Sequence, residues 1–391
     1  MVKVTADARP ATLAVHAGIE ADPATGAVVP PLHLASTFVQ EAVGVHKGWE
    51  YARSSNPTRA TLEAAVAQME SPDQAAFGMA FASGSAALDT LVRQLDAGDH
   101  VVCAEDAYGG TIRLLTKVTN RWGLDATFVD TQDVDAVAAA MTPKTKLVLL
   151  ETPTNPLLRV TDIQAVADVA HDGGARLAVD NTFMSPALQR PMDHGADVIY
   201  HSATKYLGGH SDLVGGLLVT RDAAYAEELA FLQNAQGNIL SPFDSWLMLR
   251  GLKTLHLRMQ QHCTSGQLLA ERLAQHPAVK EVHFPGLADH PGHAVHARQA
   301  SGPGGMMSIR LASKEAAHKL VATTRVFQLA ESLGAVESLI QVPAAMTHAS
   351  VPPEIRERTR LDEGLVRLSV GIEDPEDLWQ DLDQALNTVD A

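Results

Sequence analysis

The chain has 391 residues and carries 30 Lys plus Arg against 46 Asp plus Glu, a formal net charge of -16. Hydrophobic residues make up 46% of it, enough for a packed core and too many for a disordered chain, and so acidic a balance lacks the basic surface a nucleic acid requires. Two cysteines, Cys103 and Cys263, form neither a disulfide framework nor a thiolate zinc site, and Cys103 in the run His100-Val-Val-Cys103-Ala reads as a buried strand thiol. The N-terminal residues lack the apolar core of a signal peptide, and no apolar run approaches the roughly 18 residues of a membrane span, so a cytoplasmic protein without membrane contact is expected.

Residues 1–55 show weak periodicity and read as an arm lying across another surface. A helix is expected from Asn56-Pro57-Thr58, with Leu62, Ala65, Val66 and Met69 on its buried face. From 75 to 250 short apolar runs alternate with amphipathic segments. Strands are expected at 100–104, 127–129, 146–150, 176–179, 197–200 and 216–219, and helices at 85–95 and 163–170. Thr161 and Gln164 have capping-box spacing at the start of the second helix. This alternation predicts an α/β fold with a mostly parallel sheet in a large domain, 56–250. Beyond 250, helix-like stretches at 254–275 and 312–319, short strands near 278–284, 305–311 and 365–370, and an acidic helix from 374 predict a smaller C-terminal α/β domain, 251–391.

Three stretches carry chemistry. Lys205 follows an apolar strand in Ser202-Ala-Thr204-Lys205-Tyr-Leu-Gly-Gly-His210, among small and hydroxyl residues; a lysine desolvated in such a loop has an amine available for imine chemistry, and Ser202 and Thr204 offer hydroxyls to a phosphate. Asp180 ends the run Leu177-Ala-Val-Asp180, where α/β folds place ligands. Gly84 and Ser85 stand where a loop enters a helix whose free amides suit a phosphate. An ordinary structural lysine and a strand-end aspartate are the competing readings of the first two. The histidines form no H-E-x-x-H pattern, and no metal is expected.

Together these residues resemble the cysteine and methionine metabolism family of fold-type I pyridoxal-phosphate enzymes, which have the aspartate aminotransferase-like fold. The resemblance runs from Leu13-Ala-Val-His-Ala-Gly18 to Val366-Arg-Leu-Ser-Val-Gly-Ile-Glu373 and includes Tyr51-Ala-Arg53-x-x-Asn56-Pro-Thr58-Arg59, Tyr108-Gly-Gly-Thr111, Glu151-Thr-Pro-Thr-Asn-Pro156, Val179-Asp-Asn-Thr-Phe183 and Ser202 to Asp212. It implies a pyridoxal 5′-phosphate (PLP) enzyme with Lys205 as Schiff-base lysine and Asp180 as partner of the pyridine nitrogen. It also implies Gly84, Ser85, Ser202 and Thr204 at the phosphate and Tyr108 stacked on the ring. Tyr51 and Arg53 correspond to a pair reaching the neighbouring subunit's phosphate, so shared active sites and a homotetramer, a dimer of dimers, are implied. Arg367 matches the arginine that grips the substrate α-carboxylate; Asn155, Ser332 and Arg113 match residues of the pocket.

Gly110 lies where methionine γ-lyases carry a cysteine, and Ser85 replaces a methionine usual in the family. Glu331 and Glu50 agree with the cystathionine enzymes and would receive a distal ammonium. The resemblance therefore implies an amino-acid substrate and places cystathionine γ-lyase first, with α,γ-elimination of L-cystathionine. Cystathionine γ-synthase stands second, ahead of homocysteine or methionine γ-lyase, cystathionine β-lyase and O-acylhomoserine sulfhydrylase.

Overall fold

The computed structural model describes residues 8–349, 351 and 353–389. Its strands are β1 (Phe77–Phe81), β2 (His100–Ala104), β3 (Asp125–Val129), β4 (Thr145–Glu151), β5 (Arg176–Asp180), β6 (Val198–Ser202), β7 (Gly216–Thr220), β8 (Glu281–His283), β9 (Met306–Arg310), β10 (Gln328–Leu329), β11 (Leu339–Gln341) and β12 (Leu365–Ser369). The six strands expected between 100 and 219 all form, within two residues at either end. The backbone gathers into two units, Met1–Gln94 with Asp197–His256, and Leu95–Ala196 with Leu257–Ala391.

In the first unit β7 lies between β1 and β6 and runs antiparallel to both. The helix Pro57–Glu70 starts as its sequence predicts: the Asn56 side chain accepts from the amides of Thr58 and Arg59, and Pro57 occupies a first-turn position that needs no donor. Leu62, Ala65, Val66 and Met69 are buried on its inner face. Strand β1 was not expected from sequence. Its Gly78 explains why a short Phe-Gly-Met-Ala-Phe run pairs here, since a Cβ at that position would stand 2.3 Å from the Glu63 carbonyl oxygen.

In the second unit β2 pairs with β3 and β4, and β4 with β5, all in parallel. The helices Val134–Ala140 and Ile163–Asp172 make the crossovers. The cap of the second differs from expectation. Asp162, not Thr161, accepts from the Ala165 amide, because Thr161 is buried and its hydroxyl pairs with that of Thr131 at 2.8 Å. The C-terminal sheet has the order β10-β11-β12-β9-β8. Phe284, Ile309, Leu320, Leu368 and Leu382 share one buried core beneath it, and the helix Pro375–Leu386 contributes Leu378, Leu382 and Leu386 to that core. Each such side chain adds about 1.5–3 kcal/mol. No helix among the described residues is long and apolar enough to cross a membrane.

Candidate functional site

In the first unit β6 runs directly into a tight turn that carries Lys205. The Lys205 amide donates to Ser202 O at 3.2 Å, Gly208 to Ala203 O at 2.9 Å and Gly209 to Lys205 O at 2.8 Å. The Thr204 hydroxyl accepts from Gly215 N at 3.1 Å and donates to Gly215 O at 3.3 Å, fastening the turn to the approach of β7. Strand register sets Gly216 opposite Ser202. A Cβ on Gly216 would stand 2.2 Å from Ser83 O, and one on Gly84 would stand 2.9 Å from Tyr200 Oη and 3.0 Å from Ser202 Cβ. Only glycine permits that approach at either position, and it brings the first turn of the helix Gly84–Val92 against Ser202. Ser83 caps this helix by accepting from Ala86 N. First-turn amides that lack helical acceptors, together with the helix dipole, favour an anion beside Gly84 and the exposed Ser85.

The arm residues are held from below. Buried Arg59 donates to Ala52 O at 2.7 Å and to Arg53 O at 3.2 Å, and its Nε lies 3.4 Å from Glu63. That grip leaves Tyr51 exposed, with the Arg53 guanidinium 5.6 Å from its ring and donating to Asn234. Glu50 is exposed and pairs with His46.

The second unit gathers a different set. Asp180 ends β5 in register with Glu151, which ends β4. Glu151 accepts from the Tyr108 amide at 2.8 Å and from the Asn155 amide at 2.6 Å, one on each oxygen. Burial pushes the Glu151 carboxyl well above the ordinary carboxylate range, and the Asp180 charge beside it adds to the push. Asn155 Oδ1 accepts from Arg367 Nη1 at 2.8 Å, and the Asn155 carbonyl accepts from His348 Nε2 at 3.0 Å. Arg367 also donates to Ser332 O at 2.7 Å and to the Gln341 amide oxygen at 3.0 Å, the Gln341 orientation being the one that its neighbours' donors require. Ser332 has φ +94°, a strained backbone that turns its carbonyl onto the guanidinium.

Tyr108 is 38% exposed and meets the His348 ring edge-on at 6.3 Å. A Cβ at Gly110 would lie 2.3 Å from its Cε1, so any other residue there would shift the ring. Arg113 and Glu331 are both exposed. The structure thus joins Tyr108, Asn155, Ser332 and Arg367 in one unit, and Gly84, Ser85, Ser202 and the Lys205 turn in the other. Sequence reasoning missed His348 and Gln341, and it quoted Glu151 and Arg59 within longer runs without giving either a role. Glu151 had a usable signal, an acid closing an apolar strand just as Asp180 does.

The sequence profile described as Cys/Met metabolism PLP-dependent enzyme matches residues 11–387. The chain is 56% identical to cystathionine gamma-synthase of Mycobacterium tuberculosis over 380 residues, covering 96% of each. It is 50% identical to cystathionine gamma-lyase of Bacillus subtilis, covering 97% of this chain and 99% of the relative. The crystal structure of metB from Corynebacterium glutamicum superposes with a TM-score of 0.95 at 49% identity, covering 98% of both chains.

His348 generates a pH prediction. Burial first, and then the Arg367 cation, push its pKa down to about 3 from an ordinary 6.5, against the pull of the Asn155 carbonyl. Between those values the unfolded chain binds a proton that the folded chain refuses, so this group's contribution is complete above pH 6.5 and is lost as pH falls towards 3. In urea titrations from pH 7 to 4, His348→Gln should lower the slope of stability against pH by up to about 1.4 kcal/mol per unit. An unchanged slope would show that His348 titrates normally.

Proposed function

This chain belongs to the Cys/Met metabolism family of PLP-dependent enzymes, trans-sulfuration enzymes of fold type I, and from that membership we propose that it works at the γ-carbon of cystathionine-type amino acids. The observation that carries the finer reading is the 56% identity to enzymes named cystathionine gamma-synthase against 50% to one named cystathionine gamma-lyase. It favours γ-replacement, in which L-cysteine sulfur displaces the ester of O-succinyl- or O-acetylhomoserine to give cystathionine. The second reading is α,γ-elimination of L-cystathionine to L-cysteine, 2-oxobutanoate and ammonia, which the sequence alone placed first and the gamma-lyase relative supports.

The residues fit PLP. The close approach at Gly84 and Gly216, which a Cβ at either position would block, sets the first-turn amides of the helix beside Ser202, and helix amides with a neighbouring hydroxyl residue are what a phosphate ester requires. PLP supplies an electron sink for charge at Cα when bound. In our reading Lys205 Nζ would hold the cofactor and would move the substrate's Cα proton. Asp180 would keep the pyridine nitrogen protonated, Tyr108 would stack on the ring and help transfer a proton near the leaving group, and Gly84, Ser85, Ser202 and Thr204 would hold the phosphate, Thr204 exchanging its bond to Gly215 O for it. Arg367 binds the α-carboxylate as a planar double donor, with Asn155 and Ser332 orienting it. Glu331 and Glu50 receive the distal ammonium and Arg113 stands near that end.

We place residues 1–55 as an arm, 56–250 as the PLP-binding domain and 251–391 as the C-terminal domain of a cytoplasmic homotetramer. Tyr51 and Arg53 would reach the phosphate of the neighbouring subunit, Arg53 exchanging its Asn234 contact for it.

Borohydride reduction of the yellow protein should fix the cofactor on the Lys205 peptide; an adduct on another lysine, by mass spectrometry, overturns the assignment. Gly84→Ala should raise the dissociation constant for PLP about tenfold, because its methyl must push Ser202 or the helix start aside. Affinity within twofold of the parent by fluorescence titration would remove Gly84 from the phosphate site. For the reaction, one assay supplies O-succinyl- or O-acetylhomoserine with cysteine and follows cystathionine, while the other supplies cystathionine and follows 2-oxobutanoate. The first should show the larger kcat/KM; a larger value in the second makes the chain a γ-lyase.

A further inference from the structure

We propose that Glu151 is a positioning residue whose single carboxyl group sets Tyr108 and Asn155 together, giving the aromatic face and the Arg367 anchor one fixed spacing. The proposal deepens the reading of the site above and rests on it for the meaning of that spacing.

The geometry is a two-point grip. Glu151 Oε2 accepts from Tyr108 N at 2.8 Å and Oε1 from Asn155 N at 2.6 Å. Tyr108 precedes the helix Gly109–Arg113, so its amide is one that the helix leaves without an acceptor, and the carboxylate supplies it. The two oxygens belong to one rigid planar group, so the two loops cannot move apart independently while both bonds hold.

Asn155 passes the constraint on. Its side-chain oxygen takes Arg367 Nη1 at 2.8 Å, and its carbonyl takes His348 Nε2 at 3.0 Å. The His348 ring in turn stands edge-on to Tyr108 at 6.3 Å. The path from Glu151 through Asn155 and His348 to Tyr108 therefore returns to Glu151. A closed path resists shear that an open chain of contacts would allow. Glu151 itself is 7% exposed at the end of a strand in a parallel sheet, an anchor that moves less than the loops it holds. Its raised pKa agrees with this placement, since both oxygens keep lone pairs for the amides with the proton on or off.

The test uses PLP-loaded enzyme carrying Glu151→Gln, which replaces one acceptor oxygen with an amide nitrogen that faces another N–H. Cofactor dichroism in the visible band should change, glycine should bind more weakly as an unreactive amino-acid ligand, and kcat/KM should fall about 10- to 100-fold. Hydrogen-exchange protection at the Tyr108 and Asn155 amides should drop together, while the unfolding temperature stays within a few degrees of the parent. Glu151→Asp, one methylene too short to span both amides, serves if the glutamine variant does not fold. Parent-like dichroism with parent-like kcat/KM would overturn the proposal, as would failure of both variants to fold, which would make the role structural. Should the parent bind no PLP, the functional reading falls, and the paired exchange protection still decides the Glu151 grip alone.

Discussion

Parallel strands β4 and β5 end on the same level, and that register sets two acids, Glu151 and Asp180, side by side at the edge of a buried layer. Two carboxylates so placed oppose each other's ionisation, and the cost falls when one keeps its proton. Burial and the Asp180 charge raise Glu151, which has two amides to occupy its oxygens. The loop after β2 and the loop after β4 both hang from that acid. Without it, Tyr108 N and Asn155 N would be buried or half-buried donors lacking an acceptor, at a cost of about 1–3 kcal/mol each. The strand-end acid thus sets both local order and the frame of the site.

The first unit solves its own problem by different means. Its helix start is brought to the strand ends by the absence of side chains at Gly84 and Gly216 rather than by a charged grip. Close backbone approach exposes amide donors to whatever sits in front of them, and the Lys205 turn is stitched locally by its own main chain and by Thr204 on Gly215. Arg59 does comparable work for the arm, spending its donors on the carbonyls of Ala52 and Arg53 so that Tyr51 and Arg53 face outward.

Much of this was legible in the sequence. The strands from 100 to 219 were readable because each is a short apolar run bounded by turns, and β2, buried throughout, has only His100 at its start to blur it. Asn56 announced its helix because capping is local, yet the same rule failed at Thr161, whose hydroxyl was taken by Thr131 from another strand's end. Strand β1 carries a glycine whose reason, the Glu63 carbonyl behind it, lies in a different element. His348 and Gln341 were invisible for the same reason: nothing near them in the chain indicates that they face Asn155 and Arg367. Site residues that the resemblance supplied could be named in advance, but the residues that aim them could not.

The proposed site residues serve γ-replacement and γ-elimination alike, for a physical reason. Cystathionine is the product of γ-replacement and the substrate of γ-elimination, so the groups that bind its two ends are the same in both. Arg367, oriented by neutral oxygens from Asn155, Ser332 and Gln341 that do not cancel its charge, suits an α-carboxylate in either case. Glu331 and Glu50, both exposed, would meet the same distal ammonium whether the Cγ–S bond is forming or breaking. Interactions shared equally by two reactions do not separate their rates. The separation must come from what happens at the γ-carbon once the leaving group departs: capture by a thiol, or protonation to the methyl carbon of 2-oxobutanoate, with water then displacing ammonia at the α-carbon. If Tyr108 stacks on the cofactor as proposed, access over its face would govern that choice, and Gly110 leaves the ring free to stand as it does. A bulkier residue at 110 would move that ring and change the access without touching a single group that binds the substrate's ends.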